Sequence, residues 1–179
     1  MRSAEIGETP TSPRNGAFRA VERGAFIDAM RRAASGVTVV TTDGPAGRFG
    51  VTVSAMTSVS ADPPSVLVCV NNTSRAAEAI GTNKRFCVNL LAHHQTELSD
   101  VFAGRLGRAD RFAGFAWSAL GTGAPSLEDA LSSFDCRLVE SHVFGSHTVF
   151  MGLVVAVRSG EGAPLVYHDR AYCRPLSVA

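Results

Sequence analysis

The fold is decided by residues 52–70, which read Thr52-Val53-Ser54-Ala55-Met56-Thr57-Ser58-Val59-Ser60, then Pro63-Pro64, then Ser65-Val66-Leu67-Val68-Cys69-Val70. Small hydroxyl side chains alternate here with apolar ones, and a period of two is typical of a β-strand. The polar cluster Asn71-Asn72-Thr73-Ser74-Arg75 follows, where a helix is expected to begin. Unpaired N–H groups point outward from the start of a helix and suit a phosphate. The sequence therefore predicts a site for a flat heterocycle that carries a phosphate.

Strand-like segments continue on both sides of this stretch. Val37–Thr42 is rich in β-branched residues, and the turn residues 43–47 join it to Phe49–Val53, which predicts a β-hairpin. Before it, helical spacing predicts an amphipathic helix from about Arg23 to Ser35, with Gly36 as its C-cap glycine.

The remaining elements follow from the same two periods. Two more helices are predicted, one at 74–82 with Thr73 or Ser74 as N-cap and one at 95–102 ended by Gly104. Strands are predicted at 65–70, at 86–91, at 148–157 as the central strand of the sheet, and at 164–167 as the last strand. A further half-buried strand runs through Phe134, Cys136 and Leu138, with Asp135 and Arg137 on its polar face. Residues 105–125 have no clear period and predict a long loop. Six to eight strands with three short helices predict a mainly β fold, a closed antiparallel barrel.

Composition narrows the class of protein. At 179 residues and 45% hydrophobic content, the chain is expected to be a flexible arm at residues 1–20 followed by one domain at 21–179. The net charge of +1 predicts no nucleic-acid partner and no membrane partner. The cysteines lack any C-x-x-C pair, which argues against a metal site and favours reduced thiols in the cytoplasm.

Six short motifs then point to a known family. They are Gly36-Val37-Thr38-Val39-Val40-Thr41-Thr42, the run 52–60, Pro63-Pro64 with Val66–Asn71, Phe86-Cys87-Val88-Asn89-Leu90-Leu91, Phe102-Ala103-Gly104 and Gly145-Ser146-His147-Thr148. In this order they resemble the short-chain flavin reductases, the small components of two-component flavin-dependent monooxygenases that serve 4-hydroxyphenylacetate, phenol or styrene oxygenases. The resemblance extends over roughly residues 23 to 175. One departure is that many relatives carry Gly-Asp-His at Gly145-Ser146-His147, so a hydroxyl replaces a carboxylate.

The resemblance implies a fold and a set of ligands. The fold is an FMN-binding split β-barrel, Greek-key-like and antiparallel, assembled as a homodimer. The ligands are FMN or FAD, with NADH or NADPH as hydride donor, and a partner monooxygenase receives the reduced flavin. The implied activity is that of an NAD(P)H:flavin oxidoreductase, in which a hydride passes from nicotinamide C4 to flavin N5. The alternative is a non-catalytic flavin- or haem-binding split-barrel protein.

The resemblance also implies the flavin-binding residues, which are Thr52, Val53, Ser54, Ala55, Met56, Thr57, Cys69, Val70, Asn71, Ser74, Arg75, Phe102, Ala103, Gly104 and Tyr172. The run 52–57 is expected to lie along the isoalloxazine with its N–H groups directed at the polar edge, or else to be a sheet edge facing solvent. The motif at 102–104 is expected either to close over the flavin or only to form the C-cap of a helix. Tyr172 lines the site or packs the C-terminal tail.

The polar candidates each have a structural alternative. Asn71, Ser74 and Arg75 are expected to bind the phosphate, although Ser74 is equally suited to ordinary N-capping. His147 is the predicted catalytic residue, meeting the nicotinamide, and a hydrogen-bonded structural histidine is its alternative. The arginines of the long loop, Arg105, Arg108 and Arg111, either contact the diphosphate of the dinucleotide or keep the loop soluble.

Overall fold

The computed structural model describes residues 19–177. Of the predicted flexible arm, residues 1–18 lie outside this part of the chain, so the division into an arm and one domain stays a prediction. The elements within residues 19–177 are α1 (Arg23–Met30), β1 (Ser35–Gly36), β2 (Thr38–Thr42), β3 (Phe49–Val53), β4 (Met56–Ala61), β5 (Pro64–Asn71), α2 (Arg75–Asn83), β6 (Arg85–Leu90), α3 (Thr96–Phe102), β7 (Trp117–Ala119), β8 (Pro125–Leu127), β9 (Ser132–Phe144), β10 (His147–Ser159), β11 (Val166–His168) and β12 (Ala171–Cys173).

Seven of these strands form one antiparallel sheet in the order β3-β2-β6-β9-β10-β5-β4. The two edge strands, β3 and β4, are separated in sequence only by Ser54 and Ala55. The sheet must therefore curl until its two edges meet at this link. Within residues 19–177 no ladder joins β3 to β4, so the barrel is split along this line. The mainly β fold with antiparallel strands and a few short helices is confirmed, in the split form that the resemblance implies. The closed barrel predicted from the number of strands is wrong, because β3 and β4 do not pair within residues 19–177.

The core has two parts because β2 is buried on both faces. Val40 packs into a cluster inside the curled sheet, beneath Ile80 of α2, whereas Val39 packs into a second cluster with Leu98 and Phe102 of α3. Each helix is thus held by the face of the sheet that it covers. This arrangement places the start of α2 and the end of α3 near the edge strand β3.

The predicted hairpin and the predicted helix start are both confirmed. β2 and β3 pair in register from Thr38↔Val53 to Thr42↔Phe49. α2 begins after Ser74, whose hydroxyl accepts a hydrogen bond from the N–H of Ala76 at 3.3 Å.

The first helix is shorter than predicted. It ends at Met30, and Gly36 is not its C-cap glycine but lies in β1, opposite Val166 of β11. The pairing of β1 with β11 draws residues 35–36 out of the helix, so tertiary contacts override the helical period. None of the α1 residues is buried, and Phe26 is 56% exposed, although an amphipathic helix is expected to bury its apolar side.

Two sheet predictions were also wrong in detail. The strand at the centre of the sheet is β9, and β10 is its neighbour. The second half of the run 52–60 forms the edge strand β4, whose side chains are mostly exposed, as the alternative of a sheet edge facing solvent predicts. The alternating pattern predicts a polar face for Asp135, yet this residue is fully buried. Its carboxylate is satisfied locally, since the N–H and hydroxyl of Thr122 donate to it at 2.6 and 2.5 Å.

Candidate functional site

The link between the two edge strands borders a small cleft of about 160 Å³. Thr52, Val53 and Ser54 form one side of it, and Ala103 and Tyr172 lie among the residues of the other sides. Thr52 is held in place because its hydroxyl donates to the carbonyl of Ser99 in α3, at 2.7 Å. We call this the link cleft.

A hydrogen-bond network fixes the far wall of the link cleft. The phenol of Tyr172 bonds Ser99 Oγ at 2.8 Å and Asp100 Oδ1 at 2.7 Å. Arg105 donates to the same carboxylate oxygen at 2.8 Å and to the phenol oxygen at 3.1 Å. Burial raises the pKa of the Tyr172 phenol above its ordinary value, and the Asp100 carboxylate acts in the same direction. The network ties β12 to α3, so the cleft has a rigid polar wall.

A second and larger cleft, of about 450 Å³, lies at the beginning of α2. Its lining includes one aspartate, Asp110, and four arginines, Arg48, Arg75, Arg108 and Arg111. The start of β3 supplies Arg48, the start of α2 supplies Arg75, and the loop after α3 supplies the other two. This excess of positive charge, together with the outward N–H groups of α2, suits a phosphate. We call it the arginine cleft.

The two clefts share one strand. Gly50 lines the arginine cleft and Thr52 lines the link cleft, and residues two apart on a strand are about 7 Å from each other. A ligand of moderate length that lies along β3 can therefore contact both.

Comparison with known proteins identifies the family to which this chain belongs. Residues 30–175 match the model of the flavin reductase like domain. The chain belongs to the flavin reductase-like domain family. It is 45% identical over 163 residues to the FMN reductase (NADH) RutF of Acinetobacter baylyi, with 90% of this chain and 87% of that protein covered.

Two solved structures resemble this flavin reductase-like chain closely. The flavin reductase PheA2 has a TM-score of 0.81 and 33% identity, over 88% of this chain and 100% of its own. The styrene monooxygenase flavin reductase of Pseudomonas putida S12 has a TM-score of 0.76 and 29% identity, over 86% of this chain and 99% of its own.

The residues present in this flavin reductase-like domain fit a flavin mononucleotide. In the part of the chain that the structure describes, the N–H groups of Ser54 and Ala55 have no hydrogen-bond partner. Both residues are exposed, so these donors are free for the polar edge of a flat ring. The arginine cleft supplies the charge that a phosphate at the other end of the molecule needs.

The structure brings some of the predicted flavin residues together and leaves others apart. Thr52, Val53, Ser54, Ala103 and Tyr172 meet at the link cleft, and Ser74 and Arg75 meet at the arginine cleft. The remaining predicted residues line neither cleft and are Ala55, Met56, Thr57, Cys69, Val70, Asn71, Phe102 and Gly104.

The positions of these remaining residues differ. The side chains of Val70 and Phe102 are in the core, with 0% and 1% of their surface exposed. Asn71 turns its side chain back onto the loop, where its oxygen accepts hydrogen bonds from the N–H and the hydroxyl of Thr73, both at 2.9 Å. Gly104 has φ of +75°, a conformation that favours glycine and lets the chain turn away from α3.

His147 stands apart from both clefts of the single chain. It begins β10, opposite Asn71 of β5, and its exposed ring lies 2.9 Å from the hydroxyl of Ser146. The residue that replaces the usual aspartate is thus the hydrogen-bond partner of the histidine ring.

Sequence reasoning missed several lining residues. Arg48, Ser99 and Tyr167 belong to the clefts but were not singled out. For Arg48, which lies just before β3, the sequence held no local signal, because its cleft forms only when the loop at 108–112 folds against this end of the strand. For Ser99 and Tyr167 the sequence held no such signal, since their positions follow from how α3 and β11 pack.

The four cysteines are all free thiols. Burial raises the pKa of the Cys136 thiol to about 12 and raises that of Cys87 as well, so neither is a reactive thiolate at neutral pH. Across residues 19–177 there is no group of three or more potential metal ligands. No helix within that range is both long enough and apolar enough to span a membrane.

Proposed function

We propose that this chain is an NADH-dependent flavin reductase, which transfers a hydride from nicotinamide C4 to N5 of FMN. The reduced flavin then passes to a separate monooxygenase. The observation that carries the proposal is that β3 runs from the arginine cleft to the link cleft, where the N–H groups of the link between β3 and β4 have no hydrogen-bond partner among the described residues. The choice of FMN and NADH is supported by the name of the relative from Acinetobacter baylyi. A monooxygenase partner is supported by the similar structure from Pseudomonas putida S12, which is the flavin reductase of a styrene monooxygenase.

The flavin, when bound, accepts the hydride, and the protein binds and orients it. Ser74, Arg75 and the N–H groups at the start of α2 hold the phosphate. In the run 52–57, the N–H groups of Ser54 and Ala55 donate to the polar edge of the ring, where negative charge develops during reduction. β3 suits this role because it is an edge strand, and one side of its backbone is free of ladder bonds.

We assign His147 to the second ligand, the dinucleotide. Its ring is exposed at the tip of the β9–β10 hairpin, and among residues 19–177 its only hydrogen-bond partner is Ser146, so it remains able to contact a ligand that arrives after the flavin. His147→Ala is expected to raise the KM for NADH several-fold and to leave flavin affinity unchanged, as for the loss of one neutral hydrogen bond. Stopped-flow reduction of FMN by NADH measures this. An unchanged rate and KM would show that the histidine is structural.

The chain is also proposed to act as a homodimer. Several large apolar side chains in the described residues are well exposed, namely Phe26, Met30, Val139, Val143, Phe144 and Val157, each more than half accessible. Apolar surface of this extent supports an interface with another copy. The cytoplasmic location expected from the cysteine usage stays a prediction.

The proposed activity is tested by mixing the purified protein with FMN and NADH under anaerobic conditions. The flavin absorbance is expected to bleach at a rate that is proportional to the enzyme concentration. A protein that binds FMN but does not accelerate bleaching would instead be a flavin-binding module, which is the alternative that the sequence leaves open. Parallel assays with FAD and with NADPH define which flavin and which donor are preferred.

A further inference from the structure

The arginines of the arginine cleft are not equivalent. Arg108 forms an ion pair with Glu97 of α3, so its charge is already neutralised by the protein. Within residues 19–177 no carboxylate oxygen lies within 4.0 Å of a guanidinium nitrogen of Arg48, Arg75 or Arg111. Asp110 of the same cleft faces the backbone, since its carboxylate accepts the N–H of Phe112 at 2.9 Å. Three positive charges in one cleft are therefore available for a ligand.

Each of the three available guanidinium groups is held in position. Arg75 lies over the ring of Phe49 at 4.8 Å from its centroid, and Arg48 lies over the ring of Phe112 at 4.2 Å. Arg111 donates to the carbonyl of Phe102 at 3.4 Å. A guanidinium that is stacked on an aromatic face keeps its N–H edge free for a phosphate. These side chains are thus preorganised.

The three charges exceed what one phosphate monoester requires. The flavin phosphate carries about two negative charges, and Arg75, Ser74 and the start of α2 contact it from one wall of the cleft. Arg48 and Arg111 come from the other two walls, the start of β3 and the loop at 108–112. With Arg75 they bring three positive charges to the cleft, about one more than the phosphate neutralises.

We propose that Arg48 and Arg111 form a second anion subsite in the arginine cleft, which takes the diphosphate of an adenine dinucleotide. The subsite rests on the proposed function, because the first phosphate in the cleft is that of the flavin. Two ligands carry this chemistry, the adenylate half of FAD and the donor NADH. Phe112, beneath Arg48, supplies aromatic surface beside it, and Trp117 packs against Phe112 at 5.1 Å between ring centroids.

The test uses the double variant Arg48→Met/Arg111→Met, since methionine keeps an apolar stem against Phe112 and removes the charge. Arg75→Met is the matched control, in the same cleft but on the flavin-phosphate wall. Affinities for riboflavin, FMN and FAD are measured by fluorescence quenching. The KM of NADH is measured against that of reduced nicotinamide mononucleotide, which lacks the adenylate. Thermal unfolding checks that each variant is folded.

The double variant is expected to bind riboflavin and FMN within twofold of the wild type. Either FAD affinity or the KM of NADH is expected to worsen roughly ten- to hundredfold, as for the loss of charge-assisted hydrogen bonds. A loss of FAD affinity alone assigns the subsite to FAD, and a raised KM for NADH but not for the mononucleotide assigns it to the donor. Arg75→Met is expected to weaken FMN binding and to leave riboflavin binding unchanged.

Two results would overturn the subsite. If the double variant weakens FMN as much as Arg75→Met does, the arginines belong to one phosphate site. If every affinity and KM is unchanged, the two charges bind no ligand. With either result, the wild type still reduces flavin with NADH, so the proposed function is not affected. Failure of the proposed function would instead appear as a wild-type protein that does not reduce flavin with NADH.

Discussion

At the scale of single residues, Ser74 and Arg75 make different contributions to the start of α2. Ser74 caps α2, and Arg75 lies stacked on Phe49 with its charge free. Replacing both by alanine is expected to weaken FMN binding roughly ten- to hundredfold or more, because charge-assisted hydrogen bonds to the phosphate are lost. Riboflavin, which has no phosphate, is expected to bind as before. Fluorescence titration with both flavins checks this, and equal weakening of the two would remove the cluster from the phosphate site.

The same pair shows which part of the site was predictable from the sequence. Helix capping depends on a few neighbouring residues, so Ser74 and Arg75 could be placed from the local pattern alone. Arg48 could not be placed, because its cleft exists only once the loop at 108–112 folds against β3. Contacts between residues about 60 positions apart leave no signal in a single sequence. Val70 shows the converse, since the resemblance places it among the flavin-binding residues although its side chain is buried in the core.

Tyr172 provides a residue-scale test by pH. Burial and Asp100 raise the pKa of its phenol above the ordinary value of 10.0. A folded-state pKa above the unfolded one means that the native state binds the proton more tightly. The stability it contributes is complete below pH about 10 and is lost as the pH rises through the folded pKa. Tyr172→Phe removes this dependence.

The measurement is an alkaline titration of phenolate absorbance. The chain has two tyrosines, Tyr167 and Tyr172, so the variant leaves one transition. The wild type is expected to show an additional component above pH 10 that disappears in Tyr172→Phe. If the component above pH 10 persists in Tyr172→Phe, the raised pKa does not belong to Tyr172.

At the scale of elements, the packing of α3 on β3 connects stability to the site. A Cβ added to Gly50 would lie 2.5 Å from the ring of Phe102, so Gly50→Ala must push α3 away from the strand. Overpacking of this kind costs about 1–3 kcal/mol of unfolding free energy. Because α3 carries Ser99, which accepts the bond from Thr52, the displacement is also expected to weaken flavin binding.

Gly152 offers a matched control. A Cβ there would lie 2.5 Å from the ring of Phe86 and 2.7 Å from Cys136, within the barrel and away from both clefts. Gly152→Ala is expected to lose a similar amount of stability in urea unfolding and to keep the wild-type affinity for FMN below the transition. If both variants lose FMN affinity equally, general destabilisation explains the loss and the contact of α3 with β3 has no special role.

The elements also show where sequence patterns stop being informative. Strands with a clear period, such as β2 and β5, were predicted nearly to their ends, because burial of one or both faces selects β-branched residues. β4 was predicted only as one alternative, a sheet edge facing solvent, because its side chains are mostly exposed and no buried apolar face fixes its ends. The end of α1 was misplaced because β11 pairs with residues 35–36, and that pairing is non-local.

At the scale of the whole molecule, the β9–β10 hairpin explains why a single chain is expected to be incomplete. Val143 and Phe144 at its tip are 59% and 67% exposed. His147, the residue proposed to meet the dinucleotide, follows three positions later and lines neither cleft of its own chain. If a second copy packs on the tip, the histidine can contribute to a site that the two subunits share.

The purified protein is therefore expected to be a homodimer, and Phe144→Asp is expected to shift it towards monomer. A charge placed in an apolar interface is costly because it must be desolvated without a partner. Light scattering at micromolar concentration gives the mass, and the NADH assay gives the activity of the same samples. Val59→Asp, on the edge strand β4 at 44% exposure, is the control and should stay dimeric and active.

A wild type that is monomeric at this concentration and fully active would show that one barrel holds the entire site. A dimer that persists in Phe144→Asp would place the interface elsewhere, and the exposed side of α1, with Phe26 and Met30, would then be the next surface to vary.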